Sequence, residues 1–164
     1  MDHRLPAGSP ATARDATARE ATAREAADAL YVGDHAARAL GIDVLEVTPG
    51  AARLAMTVRT DMVNGHGVCH GGFLFALADT AFAYACNSAG VPMVAAGASI
   101  EFLAPAAAGE RLIAVATETW RNERQGIYDV AVSTESGAAR AHFRGRCARF
   151  RSGAAGAASV SKGS

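Results

Sequence analysis

The chain has 164 residues, a length that predicts one domain with a substantial core and leaves little room for a second. Half of the residues are hydrophobic, 20% are charged, and 16 Lys and Arg residues balance 16 Asp and Glu residues. This balance provides no global field that would attract nucleic acid or an anionic membrane, so we expect neither as a partner.

The sequence also indicates a compartment. No apolar run approaches the roughly 20 residues that cross a bilayer, and the first residues lack the apolar segment of a secretion signal. The three cysteines, Cys69, Cys86 and Cys147, are odd in number and widely spaced, which argues against a disulfide framework. We therefore expect a cytoplasmic protein.

Both ends of the chain differ in composition from its middle. Residues 11–25 form a five-residue repeat, ATARD, ATARE and ATARE, whose period fits neither a helical stripe nor a strand, although its residue types are compatible with a helix. The last residues are rich in Gly, Ala and Ser. We therefore interpret residues 1–25 as a low-complexity tail, residues 26–150 as the folded domain and residues 151–164 as a flexible tail.

Periodicity predicts the elements of this domain. Residues 26–40 are expected to form a short helix that ends at Gly41, and strands over residues 42–47 and 53–59 flank a turn at Pro49 and Gly50. Residues 73–88 are apolar on nearly every side, as in a helix buried all round. Four more strands are predicted over residues 94–103, 111–120, 127–134 and 139–150. One buried helix and about six strands predict an α+β protein with an antiparallel sheet curled around the helix, the hotdog fold.

The central helix contains a single carboxylate, Asp79, whose neighbours at helical spacing are Phe75, Ala76, Phe82 and Ala83. Burying a carboxylate without partners is costly, so this position needs an explanation. Two interpretations stay open: a general base or nucleophile in an apolar cleft, or a structural carboxylate that bonds a neighbouring loop or reaches water.

The loop before the helix suggests a second component. Gly71 and Gly72 stand where the helix begins, so their amides lack helical acceptors and lie at the positive end of its dipole. Such amides can stabilise a developing oxyanion, and the missing side chain at Gly71 would let a carbonyl oxygen approach closely. His70 and Asn64 could orient that carbonyl or fix the loop.

A metal site in this loop has the right residue types but the wrong spacing. His66, Cys69 and His70 do not form a two-plus-two ligand set, and no second Cys/His pair follows at a suitable distance. We therefore expect no metal. Cys69 has no triad-like context, and we do not expect it to act as a nucleophile.

These segments resemble the acyl-CoA thioesterases of phenylacetic acid degradation. The likeness rests on NGHGVCHGG at residues 64–72 and FALADTAFAYACNS at residues 75–88, and it continues through SIEFLAP at 99–105, GIYD at 126–129 and FRG at 143–145. It covers about residues 26–150. The resemblance implies the hotdog fold, hydrolysis of phenylacetyl-CoA or its ring-hydroxylated forms to free acid and CoA, no metal or other cofactor, and a homotetramer built from dimers.

The resemblance also implies roles for single residues. Asp79 corresponds to the catalytic acid and Gly71 to the backbone amide that polarises the carbonyl, with His70 and Asn64 as supporting polar residues.

Four further positions are expected to contact substrate: Gly72, Thr80, Ser99 and Arg144. Ser99 falls near a strand position where related thioesterases carry a hydroxyl that can position water. Arg144 stands in a period-two row with Arg140, His142 and Arg146. Most of such a row is expected on a solvated or inter-dimer face, and one or two of its members, with Arg144 as the candidate, could bind the CoA phosphates.

Helix geometry adds an expectation about assembly. Eight residues separate Gly71 from Asp79, which corresponds to about 12 Å along a helix. Asp79 therefore cannot easily reach a carbonyl held at the start of its own helix. In a two-fold dimer with antiparallel central helices, the partner's Asp79 can face Gly71, so we expect shared sites.

Aromatic residues of the central helix, Phe73, Phe75, Phe82 and Tyr84, are either core residues or walls of an apolar acyl pocket. Two other functional classes also stay open. A hotdog hydratase or dehydratase would pair the acid with a histidine, for which His66 and His70 are candidates. A non-catalytic acyl-CoA-binding protein of the sensor type would carry a DNA-binding module, and none is recognisable here.

Overall fold

A computed structural model describes residues 12–150 of the protein. Three α-helices, a short 3-10 turn and six strands follow one another along the chain: α1 Ala13–Gly33, α2 His35–Leu40, β1 Ile42–Thr48, β2 Ala51–Thr57, the turn Thr60–Met62, α3 Gly71–Asn87, β3 Met93–Phe102, β4 Arg111–Arg121, β5 Gln125–Thr134 and β6 Ala139–Arg149.

The six strands form one antiparallel sheet in the order β1-β2-β4-β5-β6-β3, so β1 and β3 are its edges. The predicted α+β hotdog fold, with about six strands around one long helix, is confirmed. The predicted and observed bounds of α3 and of the six strands differ by only a few residues, because the apolar periodicity that defines these elements is local.

Helix α3 packs on the inner face of the sheet and forms the centre of the core. The Phe82 ring lies 5.7 Å from the Tyr128 ring and 5.9 Å from the Phe143 ring, measured between centroids. Between them, Gly145 of β6 has no room for a side chain, since a Cβ there would lie 2.9 Å from Phe143 and 3.0 Å from Phe82. A glycine in this strand therefore lets α3 approach the sheet closely.

The first helix corrects the prediction of a tail over residues 1–25. Residues 13–25 are helical, and a capping box closes the helix start, where the Asp15 amide donates to the Thr12 hydroxyl at 3.2 Å and the Thr12 amide donates to the Asp15 carboxylate at 3.1 Å. Ala23 and Ala27 are buried as α1 packs against β1 and α3. The alanines of the repeat favour a helix and let it approach edge strand β1, which it helps to cover. Residues 1–11 and the predicted tail 151–164 lie outside the described residues.

The predicted helix over residues 26–40 is divided in two. Asp34 interrupts it and caps α2, with the Ala37 amide donating to its carboxylate at 3.0 Å. Gly41 ends α2 in the left-handed conformation with φ of 71°, as predicted. Within residues 12–150, no helix combines the length and the apolar composition needed to cross a membrane.

Candidate active site

The loop before α3 is held in a defined shape by Asn64. Its carboxamide oxygen accepts hydrogen bonds from the amides of His66 at 2.9 Å and Val68 at 3.4 Å. An isolated bridge between Val63 and Cys69 closes the loop. Asn64 therefore has the loop-fixing role, while its Nδ2 donates no hydrogen bond within the described residues and stays available to a ligand.

His70 is the N-cap of α3. Its Nδ1 accepts from the Gly72 amide at 3.1 Å, and its own amide donates to the Met62 carbonyl at 2.8 Å. Because Nδ1 is an acceptor, a neutral His70 carries its proton on Nε2, so the exposed ring offers an N–H donor there. The Gly72 amide is occupied by this cap, so its expected contact with substrate has no support in this geometry.

Gly71, the first residue of α3, keeps a free amide. Its N–H donates no hydrogen bond within the part of the chain that the structure describes, whereas the amides of Gly72 and Phe73 both donate to His70. The amide stands at the positive end of a 17-residue helix. Such a donor is suited to stabilise the oxyanion that develops when a thioester carbonyl is attacked.

The space beside the Gly71 Cα is filled by a side chain from β3. A Cβ at this position would lie 2.8 Å from Cζ of Phe102 and 3.0 Å from its Cε1. The predicted reason for glycine, close approach of a substrate carbonyl, is therefore incomplete, because the missing side chain also makes room for the Phe102 ring.

Asp79 lies in the middle of α3 and is half-buried. Among the described residues it has no hydrogen-bond or ion-pair partner, so the interpretation of a carboxylate bonded to a neighbouring loop does not hold in this protomer. Burial raises the pKa of Asp79 above its ordinary value. It shares a half-buried stripe of α3 with Ala76, Thr80 and Ala83, so the carboxylate is poised on a helix face that its own sheet leaves open.

One protomer does not bring the two principal groups together. Gly71 and Asp79 are the first and ninth residues of α3, so about 12 Å of helix separates the amide from the carboxylate backbone. A carbonyl within hydrogen-bond distance of the Gly71 amide is out of reach of Asp79 in the same chain.

The other predicted substrate contacts lie apart from Asp79 or are otherwise engaged. The Thr80 hydroxyl donates to the Ala76 carbonyl at 2.8 Å, inside the helix. Ser99 of β3 pairs in register with Arg144 of β6. Both lie on the outer face of the sheet, since the residues flanking Arg144 face α3, and the expected role of Ser99 in positioning water beside the acid therefore has no support here.

Most of the predicted arginine row is paired on this outer face. Arg144 binds both carboxylate oxygens of Asp129, at 2.6 and 2.7 Å. Arg140 binds Glu110, and Arg146 donates to a backbone carbonyl. A CoA phosphate would have to compete with the Asp129 carboxylate for Arg144, so the geometry favours the alternative of a surface or inter-dimer face.

The loop residues considered for zinc do not gather into a ligand set. Within residues 12–150, no three His, Cys, Asp or Glu side chains lie close enough together to hold a metal ion. Cys69 is buried, and burial raises the pKa of its thiol, which disfavours the thiolate that a nucleophile needs.

The aromatic residues of α3 divide into two groups. Phe82 and Tyr84 are fully buried core residues, so they cannot line an accessible acyl pocket. Phe73 and Phe75 are half-buried, and Phe75 packs edge to face on Phe143 with centroids 5.4 Å apart.

An apolar groove that the sequence did not indicate opens beside Gly71. Its volume is about 540 Å³, and residues of the α3 start and of the segment after β3 line it: Val68, Cys69, His70, Gly71, Gly72, Leu74, Phe102, Leu103, Ala104 and Pro105. Phe102 and Leu103 are 55% and 59% exposed. The sequence pointed to Phe102 and Leu103 only through the family segment SIEFLAP, to which both belong. No pattern of neighbouring residues indicates that this segment reaches the start of α3.

The fold is that of a thioesterase of the hotdog type, and comparison with known proteins agrees. The model of the thioesterase superfamily matches residues 66–141. The chain is also 46% identical to the acyl-coenzyme A thioesterase PaaI of Escherichia coli K12 over 124 residues, which are 76% of this chain and 89% of that protein. The chain belongs to the thioesterase superfamily.

Solved structures narrow the relationship to the PaaI proteins. The structure of E. coli PaaI, from the phenylacetic acid degradation operon, matches with a TM-score of 0.79 and 44% identity, covering 80% of this chain and 96% of that one. A mutant of the phenylacetic acid degradation protein PaaI from Thermus thermophilus matches with a TM-score of 0.67 and 43% identity, covering 70% and 97%. The family resemblance seen in the sequence is thus confirmed, and the chain is a thioester hydrolase by family.

Proposed function

We propose that the protein is an acyl-CoA thioesterase that hydrolyses phenylacetyl-CoA or ring-hydroxylated phenylacetyl-CoA to the free acid and CoA. The observation that carries the proposal is that, among residues 12–150, neither the Gly71 amide nor the Asp79 carboxylate of α3 has a hydrogen-bond partner. Similarity to the PaaI proteins supports the substrate class and a place in phenylacetate catabolism.

The first part of the mechanism is polarisation of the thioester carbonyl. Its oxygen accepts a hydrogen bond from the Gly71 amide, and the dipole of α3 stabilises the charge that grows on this oxygen. The Nε2 N–H of His70 and the Nδ2 group of Asn64 are the supporting donors in our proposal. Each is held in place by hydrogen bonds on its other side.

Asp79 supplies the second part by one of two routes. As a general base, it takes a proton from water while the water oxygen bonds to the carbonyl carbon, and the C–S bond then breaks to release CoA as a thiolate that takes up a proton. As a nucleophile, its carboxylate bonds to the carbonyl carbon, expels the thiolate and leaves an anhydride that water hydrolyses. A raised pKa strengthens the carboxylate in either route, because it increases its affinity for a proton and for the carbonyl carbon alike.

We propose that each site combines Gly71 of one protomer with the partner's Asp79. Support comes from the separation of about 12 Å within one helix and from two uncovered surfaces, the open stripe of α3 and the edge strand β3, which carries the exposed Val94 near its start. A two-fold dimer would cover both and form two sites. Two such dimers would make the expected homotetramer, with the outer faces of the sheets as the available contact.

A cytoplasmic location is part of the same proposal. All three cysteines are unpaired and buried, as suits a reducing compartment.

The test is thiol release from a panel of CoA thioesters: phenylacetyl-CoA, 4-hydroxyphenylacetyl-CoA, hexanoyl-CoA, acetyl-CoA and crotonyl-CoA. We expect kcat/KM for the two aryl substrates to exceed that for acetyl-CoA at least tenfold. Equal values for phenylacetyl-CoA and acetyl-CoA would contradict the substrate class. Loss of the crotonyl double bond without thiol release would instead indicate a hydratase, and binding without any reaction would indicate a sensor.

A further inference from the structure

The most conspicuous unassigned feature at the site is the side chain of Phe102. Its ring occupies the space beside Gly71, 2.8 Å from where a Cβ would stand, yet 55% of the residue is exposed. Cζ, Cε1 and Cε2 are the Phe102 atoms nearest to Gly71, so the edge of the ring approaches the donor's backbone, and the residue also lines the groove. Phe102 is therefore a large apolar side chain beside the amide that would bind the carbonyl.

The backbone around Phe102 is firmly held. The amides of Leu103 and Ala104, which follow it, donate to the Arg140 carbonyl at 2.9 and 3.3 Å. Two residues further on, the Ala106 carbonyl accepts from the Cys69 amide at 2.8 Å. The segment thus ties the end of β3 both to β6 and to the loop before α3, so the Phe102 ring is positioned relative to Gly71 by rigid elements.

The chemistry of the groove favours the acyl group over the CoA arm. Its walls include Val68, Leu74, Leu103 and Pro105, and none of the arginines within residues 12–150 lines it. The diphosphate of CoA would need such cations, whereas an apolar acyl group would not. A volume of about 540 Å³ lies within the usual range for small-molecule sites, although the groove is open.

We infer that Phe102 is a specificity-determining residue of the acyl subsite, where its ring packs against the aryl ring of the substrate and selects arylacyl thioesters. The inference rests on the proposed function. In a phenylacetyl group, one methylene joins the aryl ring to the carbonyl carbon. When the carbonyl oxygen accepts from the Gly71 amide, the aryl ring therefore lies close enough to pack beside Phe102. Two aromatic rings prefer centroid separations of about 4.5–7 Å and attract each other more strongly than the buried area alone explains. An alkyl chain packed on Phe102 has only the contribution from buried area.

The test compares phenylacetyl-CoA with hexanoyl-CoA in Phe102→Leu and Phe102→Tyr. Loss of an aromatic pair predicts that kcat/KM of Phe102→Leu for phenylacetyl-CoA falls about threefold to tenfold, with less than a twofold change for hexanoyl-CoA. The loss should appear mainly in KM, because the rings pack alike in ground state and transition state. Phe102→Tyr, which keeps the aromatic face, should retain the wild-type ratio of the two substrates within twofold.

Phe150→Leu is the matched control, because Phe150 is 51% exposed and lies beside Pro92 at the opposite end of β3. Its substrate ratio should equal that of the wild type. An unchanged ratio in Phe102→Leu, or an equal loss in Phe102→Leu and Phe102→Tyr, overturns the inference. So does an equal loss for both substrates with dissociation to monomers, since Phe102 would then be an interface residue.

Two measurements keep these outcomes distinct. Thermal unfolding and size-exclusion chromatography check each variant, and Phe102→Met replaces Phe102→Leu as the non-aromatic variant if the latter does not fold. If the wild type releases thiol from both hexanoyl-CoA and phenylacetyl-CoA, and the ratio of the two kcat/KM values is the same in the Phe102 variants, only the inference about Phe102 is refuted. A wild type that releases thiol from neither substrate refutes the proposed function itself.

Discussion

The role of the Gly71 amide can be isolated by comparing two substitutions, Gly71→Pro and Gly71→Ala. Both introduce a Cβ that would lie 2.8 Å from the Phe102 ring, so the ring has to move back by about 0.6 Å to reach an ordinary contact of 3.4 Å. The half-exposed ring has room to do so. Only proline also removes the N–H. Gly71 is the first residue of α3, a position where proline is well tolerated, and His70 before it is extended, with φ of −64° and ψ of 133°.

Proline at this position breaks no structural hydrogen bond, because the Gly71 N–H has no partner within the described residues. Both variants should therefore unfold at similar temperatures. Losing an oxyanion donor costs about 10²- to 10³-fold in kcat, so Gly71→Pro should fall at least tenfold below Gly71→Ala in thiol release from phenylacetyl-CoA. If the two folded variants are equally active within twofold, the Gly71 amide does not stabilise the oxyanion.

Three further outcomes follow from the packing and charge of α3. Asp79→Asn should abolish most thioester hydrolysis while leaving the assembly intact, and turnover near the wild-type rate would remove Asp79 from the mechanism. Burial raises the pKa of Asp79 in the folded state, so protonation of Asp79 stabilises the fold below the ordinary pKa of 3.8, and this stabilisation is lost as pH rises through the raised pKa. Asp79→Asn should therefore have a higher Tm than the wild type at pH 7 and the same Tm below pH 3.8. Equal Tm values of the two proteins at both pH values would contradict the burial of this carboxylate. Gly145→Ala should lower the free energy of unfolding by about 1–3 kcal/mol, because the new Cβ would lie 2.9 Å from the buried Phe143 ring and 3.0 Å from the buried Phe82 ring. Gly97→Ala is the control, since its Cβ would meet only the end of Arg146 at 3.6 Å, and denaturant unfolding should show no such loss there.

Local signals explain why much of this site was predictable. The apolar run of α3 and the glycines before it are contiguous, so the sequence alone indicated a buried helix, a free amide at its start and a carboxylate within it. The apolar pattern did not reveal the first half of α1, residues 13–25. The buried side of α1 consists of Ala23 and Ala27, which are too small to produce a clear apolar stripe. A helix anchored by alanines is difficult to distinguish from a low-complexity tail.

Long-range pairing explains the rest. Ser99 lies opposite Arg144 because β3 adds to the sheet beside β6, its partner in space rather than in sequence. The same pairing brings Phe102 onto Gly71, a contact between residues 31 positions apart. The local sequence of these strands predicts neither that they pair nor the register in which they pair. The groove beside Gly71 could therefore be found only in the folded structure.

A shared site makes a prediction that a site within one chain does not. Asp79→Asn lacks the acid and Gly71→Pro lacks the donor, so assemblies made of either variant alone should be almost inactive. In a mixed dimer, the intact Gly71 of one chain meets the intact Asp79 of the other and restores one complete site, whereas the second site lacks both groups. Each mixed dimer should therefore reach about half of the wild-type activity.

The measurement uses co-expressed chains with two different tags, purified by both tags in sequence, with the composition checked by native mass spectrometry. Mixing the two separately purified variants without subunit exchange is the control, and it should show no recovery. About 12 Å of rigid helix keeps Asp79 from a carbonyl held at the Gly71 amide of the same chain, so only the acid of the other chain can complete the restored site. If verified mixed dimers stay as inactive as their parents while both chains are folded, acid and donor act within one chain, and α3 must be bent or displaced during catalysis to bring them together.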